Sequence, residues 1–176
     1  MHEYSGGITE RKDSYKEQAL KISSYACSSP KHFKELMQCF LSNDYRLAQR
    51  AAWSVSWVAK KSPELIQPYI KDLLDQLPRK DVHNAVIRNS IRILQQVKIP
   101  ESLHGKLMNN CFSLIESPST PVAIKAFSLT ALFNLSISYP EIKNELKLII
   151  EERWNHETPA FKSRGKKVLK QLSTKN

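Results

Sequence analysis

The chain is 176 residues long, carries 27 Lys and Arg against 17 Asp and Glu for a formal net charge of +10, and contains only 4 Gly. Average usage is roughly 7% Gly, so folds built on many tight turns or on a glycine-rich phosphate loop are disfavoured. The hydrophobic share of 41%, on a length that buries roughly 70% of its unfolded surface, predicts one well-cored soluble domain.

At the N-terminus, residues 1–8, which include Gly6-Gly7, read as a tail. No basic start leads into an apolar run, and no stretch approaches 18 uninterrupted apolar residues, so neither a secretory leader nor a membrane span is expected. Cys27, Cys39 and Cys111 are odd in number and share no metal-like spacing. They are expected as buried free thiols in a reducing cytoplasm.

Two interleaved sets of helix starts then recur along the chain. Thr9, Asp44, Asp81, Thr120 and Thr158 are N-cap residue types at intervals of 35, 37, 39 and 38 residues, with Pro121 and Pro159 following the last two. Between them, Ser62-Pro63-Glu64, Ile99-Pro100-Glu101 and Tyr139-Pro140-Glu141 put Pro in a first turn and Glu at the positive end of a helix dipole. Ser29-Pro30-Lys31 is a looser relative. In chain order, helices are predicted over 9–28, 31–42, 44–61, 63–77, 81–98, 101–116, 120–138, 140–155 and 159–172. No segment between them alternates as a strand would. A helix pair recurring every 35 to 39 residues is the pattern of an all-α solenoid. The expected organisation is a tail over 1–8, a single repeat domain over 9–172 and a second tail over 173–176.

Local sequence adds a family resemblance. The segment PELIQPYIKDLLDQL, 63–77, carries Pro68 inside a helix pattern, and Asp44 stands six residues before Arg50. In these features the chain resembles the HEAT repeat family, in which a proline often kinks the first helix of a repeat and a turn aspartate precedes a basic residue on the second. Asp81 with Arg88 is one residue longer, while Thr120 and Thr158 replace the aspartate in the last two repeats and Lys125 and Lys162 keep the base. The resemblance covers residues 9–172, with armadillo-type arrays as related classes. It implies a right-handed αα-superhelix of four to five helix pairs, with second helices lining a concave surface and turn aspartates held by basic residues.

The predicted second helices show where a ligand would meet the chain. At 100° per residue, Ala48, Ala52, Val55 and Ala59 share one face of 44–61, opposite Arg46, Arg50, Trp53, Trp57 and Lys61. On 81–98, Asn84, Arg88, Arg92 and Gln95 oppose Val86, Ile93, Leu94 and Val97. On 120–138, apolar residues point in nearly all directions, as expected of a helix buried by neighbours. Arg46, Arg50, Trp53, Trp57, Arg88 and Arg92 are therefore the candidate partner-binding residues, since Trp and Arg make interface hot spots and Arg forks bind carboxylate or phosphate. The competing structural roles are Trp53 and Trp57 packing against flanking helices, and Arg50 and Arg88 consumed by Asp44 and Asp81. Residues 158–176 contain Lys162, Arg164, Lys166, Lys167, Lys170 and Lys175 and no acid. Phe161, Gly165, Val168 and Leu172 fall on one face of that segment, so it is expected to dock as a capping helix with a basic outer face.

Catalytic constellations are missing from the sequence. The five histidines are scattered, and there is no HExxH, GxSxG, phosphate loop or dinucleotide fingerprint. The expected function is a non-catalytic scaffold that binds a protein or peptide partner, acidic in character, on its concave surface. No metal or cofactor, a cytoplasmic location and a monomeric state complete that expectation. The alternative is nucleic-acid binding, as in the alkylpurine DNA glycosylases, which use a HEAT-like solenoid with a basic groove and a catalytic aspartate. No aspartate falls on the predicted concave stripe, so no catalytic residue carries over from that family.

Overall fold

A computed structural model describes residues 6–174, with side chains from residue 14 onwards. All regular secondary structure among these residues is helical. The chain divides into two compact units, residues 1–68 and 69–176.

In the first unit, α1 (Gly6–Ala26), α2 (Pro30–Phe40) and α3 (Tyr45–Lys61) pack mutually. Local chemistry sets the starts of α2 and α3. The Ser29 side chain accepts the His32 N–H, with Pro30 in the first helical position, and Asp44 Oδ1 accepts the N–H groups of Arg46 and Leu47. On α2, Phe33, Met37 and Phe40 recur at helical spacing and are almost wholly buried. Burying a side chain of that size contributes roughly 1.5–3 kcal/mol. On α3, Ala48, Ala52, Val55 and Ala59 are buried as predicted, so the small-residue face lets neighbouring helices approach closely. Helix α1 begins at Gly6 rather than residue 9, which makes residues 6–8 of the expected tail helical. Residues 1–5, 175 and 176 lie outside the described residues.

The predicted helix 63–77 is in fact two pieces, a 3-10 segment over Pro63–Tyr69 and α4 over Ile70–Gln76. Pro68 lacks the N–H that an α-helical turn requires, and the change of helix type falls just after it.

In the second unit α4 is followed by α5 (Asn84–Leu94), α6 (His104–Glu116), α7 (Val122–Ser138), α8 (Ile142–Arg153) and α9 (Pro159–Ser173). Helix α7 packs against α5, α6, α8 and α9. This accounts for its nearly uniform apolarity: Ile124, Leu129 and Leu132 are at most 1% exposed. Ile137 is the exception, 65% exposed. Helix α9 docks through Phe161, Gly165 and Val168, all buried, and Thr158 caps it.

Several predicted starts moved inward. Helix α5 is capped by His83, whose Nδ1 accepts the Ala85 N–H, because the Asp81 carboxylate is held by Arg79. Helix α7 starts after Pro121, with no bond from the Thr120 side chain to its first turn. Only Cys111 is a core thiol, since Cys27 and Cys39 are half-buried.

Candidate functional site

The predicted recognition residues of the first unit all lie on α3. Arg46, Arg50, Lys60 and Lys61 are exposed, and no acid occurs between Tyr45 and Lys61. Trp53 is 37% exposed. Arg46 folds back along its own helix start, with Nε donating to Tyr45 Oη at 3.1 Å and the guanidinium 5.8 Å from that ring's centre. Trp57 is half-buried, its Nε1 is buried with no acceptor among the described residues, and Lys60 Nζ stands 5.2 Å from its ring centre. Tyr45 and Lys60 were not singled out from the sequence, although the i, i+3 spacing of Trp57 and Lys60 brings such a pair together on a helix.

Arg88 and Arg92 belong to the second unit and both lie on α5, Arg88 exposed and Arg92 half-buried. The aspartate ladder implied by the resemblance fails at both expected places. Asp44 is occupied by the N–H groups of α3 itself. Asp81 pairs with Arg79, whose Nε donates to Oδ1 at 3.0 Å, and this holds its carboxyl below the usual carboxylate range. Among the described residues Arg50 and Arg88 have neither ion pair nor side-chain hydrogen bond, so the aspartates do not consume them.

An equivalent bridge occurs elsewhere, between α7 and the turn that precedes α9. Lys125 Nζ donates to Glu157 Oε1 at 2.6 Å, and Arg153 Nε and Nη2 donate to the same oxygen at 2.9 and 2.8 Å. Arg153 Nη1 reaches the Glu116 carbonyl at the end of α6, also at 2.8 Å. The Lys125 and Glu157 side chains are 4% and 7% exposed. Burial by itself pushes the Glu157 carboxyl up, but the hydrogen bonds and charges of Lys125 and Arg153 outweigh it and leave the group below the ordinary value. Lys125 was read from the sequence as the base of its repeat; its carboxylate partner was missed because Glu157 comes from the following repeat.

A second cross-repeat tie is His104. Its Nε2 lies 2.9 Å from the Ile99 carbonyl, which accepts, and this leaves Nδ1 to accept from Tyr139 Oη at 3.1 Å. On α9, Lys166, Lys167 and Lys170 are exposed, Lys162 is half-buried, and Arg164 Nη1 donates to Thr130 Oγ1 of α7 at 2.7 Å. The basic outer face of the last helix is therefore narrower than its charge count.

Second helices also carry a small residue at a recurring sequence position that the sequence reading overlooked. Ser54, Ser90, Ser128 and Gly165 recur at 36, 38 and 37 residues, and all four are buried. At Gly165 the reason is plain: a Cβ there would stand 3.0 Å from Ile150 Cγ2 and 3.4 Å from the Trp154 ring. Ser128 lies beside Cys111 of α6, whose thiol burial pushes up to about 12.

Consecutive helix pairs, a small residue once per pair, and cross-repeat ties at the turns are the parts of a helical-repeat array. A family model for the HEAT repeat domain matches residues 11–172. The chain belongs to the HEAT repeat family. No curated protein and no solved structure matches it. Membership accounts for the all-helical architecture and for the change of helix type after Pro68; a HEAT array specifies a scaffold and leaves the ligand to surface residues. Among the described residues, no helix is long and apolar enough to cross a membrane, and no group of three His, Cys, Asp or Glu side chains is placed to hold a metal.

Proposed function

We propose that this HEAT repeat chain is a non-catalytic scaffold whose α3 face holds an acidic, amphipathic segment of a partner protein. HEAT repeats typically mediate protein interactions. The observation that carries the assignment to α3 is its combination of four exposed cations, no acid, and a Trp53 ring exposed between Arg50 and Lys60 along the helix. Arginine forks bind carboxylates, and tryptophan supplies buried contact area once a partner covers it. Arg88, exposed and without an ion pair among the described residues, supports the same kind of contact in its own unit.

Affinity capture from lysate with quantitative mass spectrometry, comparing wild type with Arg50→Glu/Trp53→Ala, tests the placement. Both positions are exposed, so the variant keeps its fold, which circular dichroism checks. Partners captured by the wild type are expected to be depleted several-fold by the variant. An unchanged partner set would remove α3 as the site.

A second reading, nucleic-acid binding, is favoured by one observation: α9 exposes Lys166, Lys167 and Lys170 and contains no acid. Phosphate-backbone binding weakens steeply with salt. A fluorescence titration with short duplex and single-stranded DNA that shows no binding even at low salt rules this reading out.

A further inference from the structure

The second unit contains an open groove that none of the preceding assignments uses. It runs between the α4–α5 turn and the α6–α7 turn and has a volume of about 420 Å³, within the range of roughly 300–1,000 Å³ in which proteins hold ligands. Its floor is apolar, with Leu77, Ile87 and Ile124 buried beneath it. Its polar lining includes Lys80, Arg79 and the hydroxyls of Ser117, Ser119 and Thr120. Lys80 is exposed and, among the described residues, has no ion pair, while Arg79 is already engaged by Asp81. No acid is among the lining residues.

Two further features give the groove a preference for acceptors. Helices α5 and α7 both begin at it, so two positive dipole ends face the same space. Helix α7 starts without a side-chain cap, which leaves first-turn N–H groups unclaimed by any side chain.

We propose that this groove binds an extended peptide segment in which an aliphatic side chain is flanked by Asp or Glu. Such a segment sends alternate side chains to opposite faces, so the aliphatic group meets the apolar floor while the flanking carboxylates point outward to the rim, within reach of the exposed Lys80. Its backbone carbonyls supply acceptors for the first-turn N–H groups of α7. The site is separate from α3 and does not depend on the function proposed for that face.

The test uses the full chain, labelled with ¹⁵N, titrated with the heptapeptide acetyl-SDLELDS-amide and with its counterpart acetyl-SKLKLKS-amide, following backbone amide shifts. The acidic peptide is expected to give saturable shifts in residues 80–84 and 117–121, and the lysine peptide none. Lys80→Glu is expected to weaken the acidic peptide by roughly fivefold or more, as for loss and reversal of an exposed ion pair. Ser119→Trp, at an exposed position lining the groove, fills it without changing charge and is expected to abolish the shifts. The proposal fails if the acidic peptide gives no saturable shift in those residues up to low millimolar concentration, if the lysine peptide binds equally well, or if neither substitution weakens binding. Shifts confined to α3 would also overturn it and would assign the acidic segment to that helix instead.

Discussion

Lys125 Nζ lies 2.6 Å from Glu157 Oε1, tying a second helix to the turn of the following repeat. Arg153 holds the same oxygen from the other side, so two cations share one buried carboxylate. Removing the shared group leaves both cations unpaired. Glu157→Gln is therefore expected to destabilise the protein by roughly 3–5 kcal/mol, whereas Lys125→Met, which leaves the Arg153 bridge intact, costs much less. Urea unfolding of the two variants checks the order; equal losses would mean that Arg153 does not hold the carboxylate alone.

The same pair sets a pH dependence. The Glu157 carboxyl lies below the ordinary value of 4.5 in the folded chain, so the folded state favours the charged form. Its stabilisation is fully present above the unfolded value and is lost as pH falls through the folded one. The expected result is a fall in wild-type stability below about pH 4.5 that is shallower in Glu157→Gln, measured by thermal melts from pH 7 to pH 3.

Asp44 acts as a cap, not as a ladder partner for Arg50. Asp44→Ala is expected to cost about 1 kcal/mol. Arg50→Ala, which removes an exposed side chain without an ion pair among the described residues, should stay within about 0.5 kcal/mol of wild type. Chemical denaturation separates the two, and a large loss for Arg50→Ala would restore the ladder.

At Gly165, a larger side chain has no room against Ile150 and Trp154. Gly165→Leu is expected to lower stability by about 1–3 kcal/mol, even though leucine forms helix far better than glycine. A stabilised variant would show that α8 and α9 can move apart at little cost.

Cys111 is expected to resist alkylation in the native protein near pH 8, because burial holds its thiol protonated up to about 12. Cys27 and Cys39 are half-buried and should react first. Peptide mapping after iodoacetamide treatment, with and without denaturant, reads this out.

Much of the helix order was legible because local chemistry controls it. Ser29, Asp44 and Thr158 cap from their own positions with their own side chains, and the period of Pro and N-cap types needs no tertiary information. The starts at Asp81 and Thr120 were misplaced for a non-local or geometric reason. Arg79 takes the first carboxylate, and Pro121 separates Thr120 from the α7 first turn. The candidate site was legible as a list of side chains on α3 and α5, but their engagement was not. Whether Arg50 or Arg88 is paired depends on what each aspartate finds nearer.

Composition, spacing and capping residues by themselves determined an all-helical array of repeated helix pairs, since scarce glycine, periodic Pro and 3.6-residue apolar faces act within single helices. The tertiary structure decided which charges are spent and which remain free. Lys125, Arg153 and Glu157 are consumed in a buried cluster, while among the described residues Arg50, Lys80 and Arg88 have no ion pair. The physical reason is that an ion pair depends on distance and burial, which residues 32 apart acquire only when the chain is folded.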